Sequence, residues 1–235
     1  MKQFKKFIPR LIALLVVCVL SVFGTVGKKI IKPTAAATMP LTVIIDAGHG
    51  GFDGGAVASD GTVEKDINLD IALMLGNMLS LNGTNVIYTR TDDTGTDTVD
   101  SDEIRKKKKN DLQNRLKLME ENPDCIFVSI HLNKFTTSSA NGAQVFYSPG
   151  HELAYTLAQS IQQKIASNIQ QDNSRVVKKG TKDTYLLYNA PVPAVIVECG
   201  FLSNKKELEA LKDPVYQAKM AFCIFSGIYD YFNEE

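Results

Sequence analysis

Apolar positions along the chain follow two alternating rhythms: short continuous runs, and longer stretches in which apolar residues recur every three to four positions. Leu41 to Asp46 is a near-continuous apolar run that predicts a buried strand, and a glycine-rich loop follows from Gly48 to Gly55. Ile67, Ile71, Leu75, Met78 and Leu79 then fall at helical spacing and predict an amphipathic helix that Asn82-Gly83 ends. Asn85 to Thr89 reads as a second strand, and the Asp- and Thr-rich stretch 91–102 as an exposed loop. A helix carrying Ile104, Leu112, Leu116 and Met119 closes before Asn122-Pro123. Further strands are predicted at Cys125 to Ile130, Gln144 to Tyr147, Tyr185 to Leu187 and Ala194 to Glu198. Three more helices are predicted, at His151 to about Ile169, Asn204 to Leu211 and Pro214 to Phe232.

Continuous apolar strands separated by helices imply an α/β fold: a single domain with a central, mostly parallel β-sheet flanked by helices on both faces. The folded body is assigned to residues 38–235, with 28–40 as a linker, and no internal repeat or low-complexity tract interrupts it. The first 37 residues do not share its rhythm. Basic residues up to Arg10 precede an apolar run from Leu11 to Gly27, the signature of a secretory export signal. Ala35-Ala36-Ala37 offers a cleavage pattern, whereas a run of about 17 residues approaches bilayer-spanning length and Lys28, Lys29 and Lys32 oppose translocation. The segment is either removed or kept as a signal-anchor, and in the second case it provides a membrane association.

Composition narrows the function. Apolar residues at 44% and charged ones at 22% are those of a globular protein. The formal charge of zero hides an asymmetry, because seven of the 26 basic residues and none of the 26 acidic ones lie in the first 37 positions. The body is therefore acidic and repels phosphate backbones, so no nucleic acid is expected as a partner. Cys125, Cys199 and Cys223 are widely spaced in apolar settings and read as buried thiols, without a disulfide or metal-site pattern.

Ligands of open α/β sheets gather beyond the carboxyl ends of the strands. Of the three histidines in the chain, His49 follows the first strand and His131 ends the Cys125–Ile130 strand, while Glu198 ends another. Two neutral imidazoles and a carboxylate form a usual set of ligands for hydrolytic Zn²⁺, with a fourth position for water. A second carboxylate is needed to take the proton of that water. Glu64 and Glu198 both qualify, and chemistry alone does not distinguish them.

Other features carry plainer readings beside sharper ones. The Gly48–Gly55 loop lacks the Gly-Lys-Ser/Thr ending of a P-loop and the spacing of a dinucleotide fingerprint, so its glycines are read as permitting tight turns and close approach. Asp46 is either an acceptor for His49 or purely structural. Asn68 and Asp66 either orient Glu64 or cap the helix. The run Arg105 to Lys109 is a solvated helix face or an attractor of an anionic polymer or of a membrane surface. Arg115 and Arg90 are read as salt-bridge partners, and His151 as an exposed residue that is not a ligand.

Four strings together resemble the zinc-dependent N-acetylmuramoyl-L-alanine amidases of type 3: Ile45-Asp-Ala-Gly-His-Gly-Gly-Phe-Asp-Gly-Gly-Ala56, Glu64-Lys-Asp-Ile-Asn-Leu69, Phe127-Val-Ser-Ile-His-Leu-Asn133 and Val195-Ile-Val-Glu-Cys-Gly-Phe-Leu-Ser-Asn204. They stand in the family's order and span nearly the whole body. The short body, Gly142-Ala-Gln-Val-Phe-Tyr147 and the segment Tyr185-Leu-Leu187 are most similar to the germination-specific, spore-cortex members. The resemblance implies His49, Glu64 and His131 as ligands of Zn²⁺ and Glu198 as the general base. It also implies peptidoglycan as substrate, cut at the amide between N-acetylmuramic acid and L-alanine, a step toward muramic δ-lactam in spore cortex. Location on the cell-wall or cortex side follows from it. Lys134 replaces the family's usual small residue after the Asn of its His-x-Asn motif. Autoinhibited members carry a helical plug; the ten residues between His131 and Gly142 are too few for one, so an open cleft is expected, with control by expression, by location or by a protein partner, and recruitment by the N-terminal anchor or by another protein. Against the amidase stand two other readings: a zinc peptidase with the same ligands, and a catalytically silent wall-binding module.

Overall fold

Alternate residues of the first strand, β1 (Thr42–Ala47), are buried on opposite sides: Val43, Ile45 and Ala47 pack in one apolar cluster and Ile44 in another. A strand buried on both faces cannot alternate polar and apolar residues, which is why its sequence is an unbroken apolar run. The structure, a computed structural model, describes residues 42–233; the export segment expected at 1–37 lies outside them. After β1 come α1 (Glu64–Leu81), β2 (Asn85–Tyr88), α2 (Ile104–Glu120), β3 (Cys125–Asn133) and β4 (Gln144–Tyr147). The chain continues through α3 (Glu152–Asn168), β5 (Lys178–Lys179), α4 (Tyr185–Asn189), β6 (Ala194–Phe201), α5 (Lys205–Lys212) and α6 (Pro214–Asn233).

The strands form one sheet in the order β2-β1-β3-β6-β4-β5. Neighbours run parallel except β4, which is antiparallel to β6. The expected mostly parallel sheet with helices on both faces is thus present. On one face α1, α3 and α6 cover Val43, Ile45, Val128, Ile130, Val195 and Val197. On the other, α2 and α4 cover Ile44, Phe127 and Ala194 through Met119, Leu186 and Leu187.

Two expectations change. Tyr185 to Leu187 is the first turn of α4, not a strand: Leu186 and Leu187 are both buried against one cluster, which adjacent residues of a strand, pointing to opposite faces, cannot do. The strands bearing His131 and Glu198 also run further than their apolar patterns, to Asn133 and Phe201, so both residues sit inside strands. Periodicity missed this because polar residues end an apolar run without ending the ladder of backbone hydrogen bonds. Cys125, Cys199 and Cys223 are buried free thiols, as expected. Among the described residues no helix is long and apolar enough to cross a membrane.

Candidate active site

The α2/α4 face of the sheet carries the polar residues. Strand parity puts Asp46, Ser129, His131 and Glu198 on the same side as Ile44, Phe127 and Ala194. His131 and Glu198 are register partners across the β3/β6 pair, so their side chains rise side by side. Beyond the end of β1, the chain enters the glycine loop with His49 in a left-handed conformation, φ 65°, the one described residue other than glycine with positive φ. Glu64, at the first position of α1, points its buried carboxylate between the two imidazoles.

That carboxylate is the hub of the arrangement. Its Oε1 lies 3.0 Å from His131 Nδ1 and 3.3 Å from His49 Nε2. It also accepts from the Leu132 amide at 3.0 Å and from Asn68 Nδ2 at 3.3 Å, while Oε2 accepts from the Ala56 amide at 2.8 Å. Burial disfavours the charge, but the hydrogen bonds from both histidines hold the Glu64 carboxyl far below the ordinary carboxylate range. One donor atom from each of His49, Glu64 and His131 lies within 4.8 Å of the other two, a spacing that suits a single metal ion. Two glycines leave the room. A Cβ on Gly48 would stand 2.3 Å from His131 Nε2, and one on Gly55 would stand 2.6 Å from both Glu64 Oε2 and His49 Cδ2.

Glu198 is desolvated like Glu64 but lacks its ring of donors. Its Oε2 is buried with no hydrogen-bond partner, and desolvation raises its pKa despite the attraction of His131. A carboxyl so placed readily takes up a proton. The structure therefore separates the two carboxylates that sequence chemistry left interchangeable: Glu64 lies between the imidazoles, and Glu198 stands beside them with a free oxygen.

Asp46 is not the acceptor for His49. It pairs with Arg115 and accepts from Ser129 Oγ at 2.5 Å and Thr89 Oγ1 at 2.8 Å, a buried network beneath the site. Asp53 has the other role, with Oδ2 3.0 Å from His49 Nδ1, and it is held in turn by Lys108 at 2.9 Å. Sequence reading missed Asp53 because a carboxylate four positions from a histidine is a helical pairing. Here the loop turns back on itself instead, through paired backbone bonds between Gly50 and Asp53. The basic run is not a uniform solvated face either: Lys108 joins the site and Lys107 lies over the Phe52 ring. Asn68 does orient Glu64, whereas Asp66 is exposed and α1 has no side-chain cap. Arg115 is an ion-pair partner as expected, while Arg90 donates to carbonyls. Lys134 reaches the Val57 carbonyl, and His151 starts α3 with its ring on the Pro191 carbonyl, outside the cluster.

A cleft of about 190 Å³ opens over the two imidazoles, bordered by Lys108 and Leu112 of α2 and Leu186 of α4. The segment between His131 and Gly142 forms no helix over it, and the imidazole side chains are 23% and 21% exposed. Larger hollows of about 460 and 610 Å³ lie against α5 and α6, but among the described residues neither holds a group of His, Cys, Asp or Glu side chains spaced for a metal ion.

The profile of the type 3 N-acetylmuramoyl-L-alanine amidases matches residues 43–230. The chain belongs to this family. It is 34% identical over 204 residues to the germination-specific N-acetylmuramoyl-L-alanine amidase of Bacillus subtilis, covering 87% of this chain and 85% of that one. Among solved structures, the CwlD amidase of Clostridioides difficile, in complex with the GerS lipoprotein, is 41% identical with a TM-score of 0.79, over 83% of this chain and all of that one. The AmiC2 amidase of Nostoc punctiforme is 30% identical with a TM-score of 0.70, over 83% of this chain and 98% of that one.

The Gly48 contact makes a direct prediction about this amidase. Gly48→Ala is expected to force the His131 ring away from Glu64, so that any divalent-metal uptake at these side chains, measured by elemental analysis after dialysis, falls roughly tenfold or more. Uptake equal to that of the unaltered chain contradicts the packing described.

Proposed function

We propose that this amidase is a zinc hydrolase in which His49, Glu64 and His131 hold the metal and Glu198 is the general base. The observation that carries this reading is the meeting of two imidazoles on one buried carboxylate, with the unpartnered Glu198 oxygen on the adjoining strand. The donor set suits Zn²⁺, which combines nitrogen and oxygen ligands at a site left open on one side. When bound, the ion supplies Lewis acidity, polarising the amide carbonyl and making water acidic near neutral pH.

The chain's own residues do the rest. Asp53 fixes the His49 ring through Nδ1, leaving Nε2 toward Glu64. Glu198, ionised at the outset, accepts a proton of the attacking water and delivers it to the departing amide nitrogen, so its carboxylate is regenerated as the bond between the lactyl carbonyl and L-alanine breaks. Leu112 and Leu186 narrow the cleft and limit water around the reacting carbon. The products are a glycan bearing a free lactyl carboxylate and an intact stem peptide. Similarity to the germination-specific and CwlD amidases supports spore cortex as the peptidoglycan acted on, as a step toward muramic δ-lactam, and action on the wall side of the membrane.

Glu198→Gln tests the assignment: the variant keeps zinc while release of stem peptide from muropeptides, followed by mass analysis, drops by about 10²–10⁴-fold. Near-normal release would overturn it, and cleavage within the stem peptide would favour a peptidase.

The pH dependence of zinc binding is also fixed in sign. Burial opposes the charged form of His49, but hydrogen bonds to Asp53 and Glu64 outweigh it and raise the metal-free pKa to about 9. A ligand imidazole must be neutral, so binding displaces that proton, and apparent zinc affinity climbs from pH 7 and levels off above about 9. A pH-independent affinity over that range contradicts the arrangement.

The lipoprotein bound to the Clostridioides difficile amidase supports a lipoprotein partner for this chain too. Capture from the native envelope with the full chain as bait is expected to retain one lipoprotein in stoichiometric amount; its absence would overturn the partner reading.

A further inference from the structure

His49 has a backbone conformation, φ 65°, that residues with a Cβ avoid. Gly50 and Gly51, which follow, also have positive φ, 134° and 55°. Such a stretch persists only where its surroundings over-determine it. Here the carbonyls of Ala47, Gly48 and His49 all turn inward onto two arginines that are nearly fully buried. Arg90 donates from Nε to Ala47 O at 2.9 Å and from Nη2 to Gly48 O at 3.1 Å. Arg115 donates from Nη1 to Ala47 O at 3.1 Å and from Nη2 to His49 O at 2.8 Å.

Arg115 is the one that reaches His49 itself, across 66 positions of sequence. Its guanidinium is fixed at three points before it does so: by the α2 backbone that carries it, by Asp111 one turn earlier at 2.8 Å from Nε, and by Asp46 at the end of β1. A rigid fork held by two carboxylates leaves one pair of N–H bonds to aim, and they aim at the loop carbonyls.

We propose that Arg115 is a positioning residue for His49: held by Asp46 and Asp111, it turns the His49 carbonyl inward and so fixes the left-handed backbone that carries the imidazole to Glu64. The inference rests on the reading of His49 as a zinc ligand. A purely structural ion pair between Arg115 and Asp46 would stabilise the fold without setting zinc affinity in the folded chain, and the two roles therefore separate on measurement.

Arg115→Lys keeps a cation opposite Asp46 but removes the planar fork, so the His49 carbonyl loses its donor. Asp111→Asn leaves the arginine in place and loosens its hold, and it serves if the lysine variant does not fold. Zinc affinity of the full chain, stripped of metal, is measured by competition with a chromogenic chelator, alongside amide exchange of Gly50, whose N–H donates to the Asp53 carbonyl at 2.9 Å. Affinity is expected to fall about 10–100-fold in Arg115→Lys and in the same direction in Asp111→Asn, at one zinc per folded chain. Affinity within twofold of the unaltered chain in the folded variants would overturn the proposal. If the unaltered chain binds no zinc, the zinc reading fails instead; Gly50 exchange then decides, faster exchange in the metal-free variants supporting the clamp and unchanged exchange overturning it.

Discussion

A negative charge at Glu64, buried and yet stable, is the constraint on which the site depends. An isolated carboxylate taken out of water would protonate. Here the amides of Ala56 and Leu132, the Asn68 side chain and two imidazoles surround it, and it stands in the first turn of α1, where the helix dipole favours an anion. Those five partners come from three parts of the chain: Ala56 and His49 from the loop after β1, Asn68 from α1, and His131 and Leu132 from β3. The carboxylate therefore ties the loop after β1 to the middle of the sheet, and the same tie brings together three side chains that could hold a metal ion.

The sheet supplies the second half of the chemistry. Because β3 and β6 are parallel neighbours in register, His131 and Glu198 stand side by side on one face. One member of the pair joins the imidazole and carboxylate cluster, and the other keeps an oxygen without a partner. Two carboxylates a short distance apart thus have opposite environments, one rich in donors and ionised, the other desolvated with its pKa raised. That division is what a hydrolase needs from two otherwise identical groups.

Much of this was legible in the sequence. Apolar runs of strand length between helical spacings gave the α/β class, and histidines at strand ends pointed to the site's position. What periodicity could not reach were contacts set by loop geometry and by long-range pairing. Asp53 meets His49 only because the glycine loop doubles back, and Arg115 meets the His49 carbonyl only because α2 crosses the end of β1. Asp46, the nearer candidate in sequence, is turned by strand alternation onto the buried network with Ser129 and Thr89. At Tyr185 to Leu187 three apolar residues are too few to show a period, and only the shared burial of Leu186 and Leu187 against one cluster marks the helix.

X-ray absorption at the zinc edge of the metal-loaded full chain examines the centre of this account most directly. A shell of nitrogen and oxygen donors at about 2.0–2.2 Å is expected, with the outer-sphere scattering of two imidazole rings and no sulfur. A sulfur shell near 2.3 Å, or a spectrum without imidazole scattering, would contradict it.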